Sequence, residues 1–350
     1  MSTELVEPPP ACPGLDSDLA GKQTACQGCP NQTACSSGTA KSSSSDEDAY
    51  AISRRMRGVK RIVLVLSGKG GVGKSTVATC MARALALDPL CSVGLLDVDI
   101  CGPSVPTTTG LLGEDIHMSS SGWSPVYLQV RIYCYVRYFA RTSFSFFLLL
   151  ILQENLAVMS CGFLLDSPDS SVVWRGPKKN GLIKQFLRDV DWGELDYLVV
   201  DTPPGTSDEH LSLVSLLKHC DSFTGALIVT TPQEVALADV RKQVDFCNKV
   251  KLRVLGFVKN MSGFVCPKCD VKSDIFKQTD GLQQLSASSG IPVLAEIPLD
   301  PKIAKACDEG QSCFEEHSDA VAVIAFKLAV AALVKRISDG EVDNEKITPS

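Results

Sequence analysis

A glycine-rich loop between a short apolar run and a helix-like segment places the strongest constraint on the fold of this chain. Ile62 to Leu66 are five consecutive apolar residues, a pattern that predicts a buried strand. Residues 67–76 then read SGKGGVGKST, and Val77 to Leu87 continues with a helical pattern. Loops with the spacing G-x-x-x-x-G-K-S hold phosphate through backbone N–H groups, the helix dipole and a lysine. The sequence therefore predicts a nucleotide-binding site.

The loop residues are each expected to contact nucleotide: Gly68, Lys69, Gly70, Gly71, Val72, Gly73, Lys74, Ser75 and Thr76. Lys74 supplies catalytic charge and Ser75 a magnesium ligand. Lys69 is a second lysine that such a loop does not require, and it crowds Lys74 if it turns to its own phosphates. We interpret Lys69 as a catalytic residue that reaches a nucleotide held by a facing subunit, with a solvated lysine as the alternative. The active unit is then a two-fold dimer.

Beyond residue 58 the sequence alternates between strand and helix patterns. Such alternation predicts an α/β fold with a doubly wound, mainly parallel sheet and ligands at the carboxyl ends of its strands. The predicted strands include Val93 to Leu96, Tyr197 to Val200, Ala226 to Val229 and Val254 to Val258. The predicted helices include Gly181 to Asp189, Ser207 to Lys218, Ala238 to Val250 and Ala320 to Ile337. We expect a flexible arm over residues 1–58, a P-loop nucleotide-binding domain over 59–338 and a disordered tail over 339–350.

Three aspartates follow predicted strands. Asp97 and Asp99 are two residues apart, so in an extended chain their side chains lie on the same face. Both carboxylates can then approach the phosphates from one side. We expect Asp99 to position the attacking water, and Asp97 and Asp201 to hold Mg²⁺ with Ser75. Asp201 is followed by the rigid turn 203–205, PPG, which is suited to sensing the γ-phosphate.

Fifteen cysteines are many for a chain whose first residues show no secretory signal. In a reducing compartment thiols bind metal or lie buried more often than they form disulfides. Cys12, Cys26, Cys29 and Cys35 bring four thiols to one arm, enough for a [4Fe–4S] cluster or for zinc. Cys266 and Cys269 form a lone Cys-x-x-Cys. This pair fits half of a cluster bridging two subunits, a zinc site or a redox dithiol.

Charge and hydropathy limit the partners. The net charge is −6 and the pI is near 5.4, which gives no support to nucleic-acid or anionic-membrane binding. The start of the chain favours the cytosol, with the nucleus as a second compartment.

Residues 128–153 are unusually rich in aromatic and apolar residues, but their apolar core, Phe144 to Leu152, is too short to span a bilayer. We interpret the block as a poorly accommodated insertion, and a membrane-touching or partner-binding loop is the alternative.

Several segments together resemble the Mrp/Nbp branch of the deviant P-loop ATPases, the cytosolic iron–sulfur cluster assembly scaffolds. They are SGKGGVGKST at 67–76, LLDVDICGPSVP at 95–106, WRGPKK at 174–179, VVDTPPGTSDEHLS at 199–212, NMSGFVCPKC at 260–269 and IPLDP at 297–301. The resemblance, with the four-cysteine arm, covers nearly the whole chain. Family members run almost directly from a GWSPVY-like stretch to ENLAVMS, so residues 128–153 are a departure that resembles translated non-coding sequence or an alternative exon.

The resemblance implies ATP-dependent assembly of [4Fe–4S] clusters and their transfer to cytosolic and nuclear apoproteins through targeting factors. It implies that Asn260 and the loop around Pro298 recognise adenine. Cys266 and Cys269 would hold a labile cluster across a dimer interface, and the arm cysteines a more stable one. It also implies a complex with a shorter paralogue that lacks the arm, besides self-dimers, and neither nucleic acid nor membrane. Two alternatives remain, an ATP-dependent electron donor with a bridging cluster and a MinD/ParA-like positioning ATPase.

Overall fold

A computed structural model of the chain describes residues 20–36, 39–140, 143–165, 176–266, 268–269, 271–277 and 279–345. Its strands are β1 (Ile62–Ser67), β2 (Val93–Asp97), β3 (His117–Ser119), β4 (Gly122–Ser124), β5 (Val126–Ala140), β6 (Ser143–Ser160), β7 (Tyr197–Asp201), β8 (Phe223–Thr230), β9 (Val254–Val265), β10 (Lys272–Ser273) and β11 (Val293–Leu299). Its α-helices are α1 (Gln32–Ser36), α2 (Thr39–Arg55), α3 (Lys74–Leu85), α4 (Val105–Thr109), α5 (Gly176–Arg188), α6 (Asp208–Leu217), α7 (Glu234–Lys249), α8 (Gly281–Ser289), α9 (Pro301–Asp308), α10 (Cys313–Glu316) and α11 (Val321–Glu345).

A nine-stranded sheet organises the chain, in the order β10-β9-β8-β1-β7-β2-β6-β5, with β11 also paired to β9. Every pairing from β11 through β9, β8, β1, β7 and β2 to β6 is parallel, whereas β5 and β10 are antiparallel at the edges. All residues of β1, β2 and β7 are buried, as expected of apolar strands covered by helices on both faces. The predicted doubly wound α/β fold is confirmed.

The register of the central strands brings the predicted site residues to one edge. Asp97 and Asp201 end β2 and β7 and are directly paired partners. Between β7 and β8 lies β1, and its last residue, Ser67, opens the phosphate-binding loop. Because these strands are parallel, the loop and both aspartates meet at the carboxyl edge of the sheet.

Helix α2 differs from the flexible arm predicted for residues 1–58. Ile52 and Met56 are 0% and 1% exposed and belong to the main core. Ile52 lies in α2 and Met56 begins the 3-10 turn that directly continues it, so their four-residue spacing puts both on one face of a largely polar segment. Outside this face, Lys184 pairs with Asp48 at 2.9 Å and so links α5 to α2. The folded domain therefore begins before residue 59.

The carboxyl-terminal helix also runs further than predicted. Residues 339–345 continue α11, where the sequence predicted a disordered tail, and residues 346–350 lie outside the described part. Gly340 is a residue type that often ends a helix, but α11 continues through it, and no proline interrupts the stretch before Pro349. Among the described residues, no helix is long and apolar enough to cross a membrane.

The atypical block at 128–153 lies within a two-stranded antiparallel ribbon. β5 and β6 pair from Val126 with Val158 to Ala140 with Ser143. Only the end of β6, from Leu156 to Ser160, also pairs with β2 and enters the parallel sheet. Aromatic and β-branched residues are typical of strands, which accounts for this backbone conformation. The role of the block stays a prediction.

Candidate functional site

The phosphate-binding loop has the backbone geometry of an anion cradle. Gly71 and Gly73 have φ of 77° and 79°, values that residues with a Cβ rarely adopt. Helix α3 begins directly after Gly73, at Lys74. A Cβ on Gly73 would strike the Asn260 amide, whereas Gly70 and Gly71 face open space. The loop therefore packs tightly on one side and leaves the other side accessible for phosphate.

A cavity of about 210 Å³ lies over this loop. Its lining residues are Ser67, Lys69, Gly70, Gly71, Gly73, Lys74, Ser75, Thr76, Asp99 and Pro204. A larger cavity, of about 360 Å³, lies beside α4 and includes Glu114 and Asp115. Two carboxylates repel an anionic ligand and the phosphate-binding loop does not reach that cavity, so we assign nucleotide to the smaller one.

Lys74 and Asp201 form a buried ion pair beneath the cavity. Lys74 Nζ lies 2.5 Å from Asp201 Oδ1 and 3.3 Å from Ser75 Oγ. The two side chains are 6% and 0% exposed. Burial raises the pKa of Asp201, and the charge of Lys74 opposes this rise. The other oxygen of Asp201, Oδ2, is buried and has no hydrogen-bond partner among the described residues. A carboxylate oxygen and a hydroxyl at this position fit the oxygen ligands that Mg²⁺ prefers.

Asp97 uses both of its carboxylate oxygens within the fold. Oδ1 accepts the Asp99 backbone N–H at 3.0 Å, and Oδ2 accepts the Ser160 hydroxyl at 3.0 Å and the Val105 N–H at 3.3 Å. Burial, followed by the charge of Asp201, raises the pKa of Asp97 to about 8. Asp97 thus positions the loop that carries Asp99, and its predicted contact with magnesium stays a prediction.

Asp99 lines the same cavity as Lys74. Its Oδ2 lies 3.9 Å from Lys74 Nζ, and its side chain is 14% exposed. Burial raises the pKa of Asp99 to about 6, against the opposing charges of Lys74 and Lys179. A carboxylate that borders the phosphate cavity and ionises near neutral pH is suited to orient a water molecule.

The adenine residues predicted from the resemblance come together at the far side of the loop. Asn260 Nδ2 donates to the Val72 carbonyl at 2.9 Å. Ile297 is the register partner of Asn260, so Pro298 in β11 lies beside it. Met261, next along β9, has φ of 53°, which is rare for a side chain of this size and marks local strain.

Lys69 lines the cavity but makes none of the ion pairs found among the described residues. Its backbone carbonyl accepts a hydrogen bond from the Ser67 hydroxyl at 3.1 Å, which fixes the loop, and Lys69 as a whole is half-buried. The predicted contact of Lys69 with a facing subunit stays a prediction.

The Cys-x-x-Cys motif lies at the tip of a hairpin. Cys266 follows β9 directly, and its N–H donates to the Val271 carbonyl at 3.1 Å just before β10. Cys269 is exposed and Cys266 is half-buried. In the arm, Cys29 N–H donates to the Cys26 carbonyl at 3.1 Å, so these two cysteines share one turn. Cys12 lies outside the described residues.

The described part of the chain contains no group of three or more His, Cys, Asp or Glu side chains that could hold a metal ion. Of the arm cysteines, the three that the structure describes, Cys26, Cys29 and Cys35, do not form such a cluster. For the hairpin, two thiols at an accessible tip fit half of a site shared between two subunits.

The comparisons with known proteins agree with this geometry. Residues 58–142 and 146–334 match the ParA family model for the NUBPL iron-transfer P-loop NTPase. The chain belongs to this family. It is also similar to the nucleotide-binding protein of Archaeoglobus fulgidus solved with ADP and cobalt, at 32% identity over 79% of this chain and 96% of that one, with a TM-score of 0.61. The cell-division ATPase MinD of Pyrococcus furiosus shares the fold at 22% identity over 79% of this chain and 99% of that one, with a TM-score of 0.51.

As a ParA-family P-loop NTPase, the chain is an ATPase. Two residues near the site, Lys179 and Glu209, had no role assigned from the sequence. Lys179 Nζ pairs with Glu209 at 3.1 Å, and its charge acts on Asp99. Both lie in segments, WRGPKK and VVDTPPGTSDEHLS, that carried the resemblance without an assigned role. Ser160 was missed as well, because nothing local to it indicates a bond to Asp97.

Proposed function

We propose that this ATPase is a scaffold that assembles [4Fe–4S] clusters and transfers them to apoproteins of the cytosol and nucleus. One observation carries the proposal: the strand whose Asn260 contacts the phosphate-binding loop leads directly into the Cys-x-x-Cys motif. Asn260 holds the phosphate-binding loop, and β9 continues from it to Cys266. Cys266 is six positions beyond Asn260, so at about 3.3 Å per residue the two lie at most roughly 20 Å apart.

The residues of the cavity divide the work of hydrolysis. Magnesium, when bound, neutralises charge on the β- and γ-phosphates. Asp201 and Ser75 would hold it, and Lys74 would leave Asp201 to contact the phosphates. Asp99 orients water toward the γ-phosphate, with Asp97 fixing the backbone that presents it. Lys69 would reach the nucleotide of a facing subunit.

The cluster is the cargo of this reaction. Cys266 and Cys269 give two thiolates, and a cluster needs four, so a second subunit supplies the other half. That subunit is a second copy of this chain or a shorter paralogue without the arm. Cys12, Cys26, Cys29 and Cys35 would hold a second, resident [4Fe–4S] cluster, since four thiolates are the full ligand set for one. The family description of iron transfer supports this cargo.

Anaerobic iron and acid-labile sulfide analysis of the full chain tests the proposal. We expect the Cys266→Ala/Cys269→Ala variant to lose the bridging cluster and keep the arm cluster, and Cys12→Ala to show the reverse. Cys247→Ala is the control, because that thiol is buried inside α7 and far from either motif in sequence. Zinc in place of iron and sulfide, or unchanged loading in both motif variants, would refute the scaffold function.

The electron-donor alternative predicts a different fate for the cluster. A scaffold hands over iron and sulfide together to an apoprotein, whereas a donor keeps both and changes only its oxidation state. Incubation of ⁵⁵Fe-loaded protein with an apo-ferredoxin, followed by separation, decides between them. Radiolabel that moves to the acceptor supports the scaffold, and label retained during turnover supports the donor.

A further inference from the structure

The cavity of about 360 Å³ beside α4 has no part in the proposed function. One wall is α4 with the residue that precedes it by two, the other is the 3-10 turn Cys161–Leu164, and the loop 112–115 completes the lining. Most of the lining is apolar: Pro103, Pro106, Leu112, Phe163, Leu164 and Leu165. Leu112 and Leu164 are 53% and 38% exposed, so apolar surface extends to the rim. An apolar depression of this size is typical of a binding site.

Two carboxylates give the cavity its charge. Glu114 and Asp115 are exposed, and neither takes part in an ion pair within the described part of the chain. Among the described residues, none that lines the cavity is basic. The cavity therefore repels anions and attracts a lysine or arginine side chain. A metal ion fits less well, because the described residues contain no group of three ligands that could hold one.

The two walls of the cavity are in direct contact. A Cβ on Gly162 would lie 2.8 Å from Pro106 Cγ, so the absence of a side chain lets the 3-10 turn approach α4 this closely. At the other end of α4, Arg83 of α3 donates to the last two carbonyls of the helix at 3.3 and 3.4 Å. The α4 wall is therefore anchored to the nucleotide-binding helix.

Both walls are also hydrogen-bonded to one carboxylate of the ATPase site. Asp97 Oδ2 accepts the Val105 N–H at 3.3 Å, from the first residue of α4. The same oxygen accepts the Ser160 hydroxyl at 3.0 Å, and Ser160 Oγ in turn accepts the Gly162 N–H at 3.0 Å. The other oxygen, Oδ1, holds the backbone N–H of Asp99. A ligand in contact with both walls therefore acts on the bonds that position Asp99.

We propose that this cavity is a docking site for a peptide segment of a partner protein, and that docking stimulates ATP hydrolysis. The segment carries large apolar residues followed by arginine or lysine. Its apolar side chains fill the cavity and cover Leu112 and Leu164, and its basic side chains pair with Glu114 and Asp115. A small cationic molecule would leave the exposed leucines at the rim uncovered.

Stimulation follows from the contact between the walls. A segment that packs against both of them favours the arrangement in which Val105 and Ser160 hold Asp97, and this arrangement fixes the backbone of Asp99. The effect depends on the ATPase activity of the chain and not on the proposed scaffold function.

Fluorescence anisotropy with the full-length protein tests the docking site. The probe is a fluorescein-labelled peptide with two leucines followed by two arginines between glycine–serine ends. We expect binding to weaken about tenfold or more when glutamates replace the arginines or serines replace the leucines. Glu114→Lys/Asp115→Lys should weaken it as much. Asp221→Lys/Asp319→Lys makes the same change of charge at exposed positions outside the cavity and should leave it unaltered.

Three results would overturn the docking site. The first is equal binding of the arginine and glutamate peptides. The second is displacement of the probe by argininamide as effectively as by unlabelled peptide, which would indicate a site for small cations. The third is a peptide-free dimer that Glu114→Lys/Asp115→Lys dissociates, since a second copy of the chain would then occupy the cavity.

ATP turnover of the same proteins tests the coupling. Saturating peptide should raise kcat of the wild type about twofold or more. It should not stimulate Glu114→Lys/Asp115→Lys, whose turnover without peptide should equal that of the wild type. Ser160→Ala removes the hydroxyl that joins Gly162 to Asp97, so it should bind the peptide normally and lose the stimulation. Binding without a change in wild-type turnover, or full stimulation of Ser160→Ala, would overturn the coupling.

Discussion

Asn260 Nδ2 donates a hydrogen bond to the Val72 carbonyl at 2.9 Å, so β9 holds the phosphate-binding loop directly. The same amide packs against Gly73, whose φ is 79°. Asn260→Ala removes this bond and opens a gap under the loop. We expect nucleotide affinity to fall about tenfold, since a lost buried hydrogen bond costs about 1 to 1.5 kcal/mol. Titration with a fluorescent ATP analogue measures the change.

Asn248→Ala is the matched control for this prediction. Asn248 is exposed in α7 and makes no contact with the loop, so the variant should bind nucleotide as the wild type does. Equal affinities of the two variants would show that β9 does not support the loop.

The raised pKa of Asp99 leads to a prediction of how ATP hydrolysis depends on pH. Its pKa is raised to about 6, mainly by burial. The ionised carboxylate is the stronger hydrogen-bond acceptor and the only form that can take a proton from the attacking water, so activity is present above this pKa and is lost as the pH falls through it. We expect kcat/KM to decline below about pH 6 in steady-state assays. A decline only near the ordinary pKa of aspartate, about 4, would contradict the assignment.

Lys179 offers a sharper form of the same test. Its positive charge lowers the pKa of Asp99, so Lys179→Met should move the acidic limb of the kcat/KM profile to higher pH. Lys178→Met changes the neighbouring exposed lysine and should leave the limb in place. A limb that shifts equally in both variants would indicate a general effect of net charge.

Ile52 tests where the folded domain begins. It is 0% exposed in α2 and lies within the main core. Ile52→Ala should lower the free energy of unfolding by about 2 to 4 kcal/mol, as expected for a buried isoleucine. Tyr50→Ala, at a position 68% exposed in the same helix, should change it by less than about 0.5 kcal/mol. Urea unfolding followed by circular dichroism compares the two, and equally small changes would mean that α2 is detached in solution.

Local patterns allowed much of this fold to be predicted. The apolar run at β1, the glycine spacing of the loop and the aspartates at the ends of β2 and β7 are each contained in a few neighbouring residues. Strand and helix periods are local properties, and parallel strands necessarily gather their carboxyl ends. These features were sufficient to predict that the loop and the two aspartates lie at the same edge of the sheet.

Contacts between distant segments could not be predicted in the same way. Lys74 and Asp201 lie 127 residues apart, and their ion pair depends on which strands become neighbours. The bond of Ser160 to Asp97 depends on the placement of β6 beside β2. Ile52 was missed because two apolar residues in a polar segment form a helix face only when another helix covers them. Three-dimensional pairing, rather than composition, determines these contacts.

Lys69 yields a prediction that separates action within one subunit from action across a dimer. Lys69→Ala should retain nucleotide binding through Lys74 and lose hydrolysis. In a mixed dimer of Lys69→Ala with Lys74→Ala, the site that keeps Lys74 receives Lys69 from its partner. Half of the dimers in an equal mixture are mixed and each has one working site, so we expect about a quarter of wild-type activity. Mixing Lys74→Ala with Asp99→Ala is the control and should restore nothing, because those two residues serve the same cavity. Absence of complementation in the first mixture, with dimers verified by light scattering, would place Lys69 in its own site.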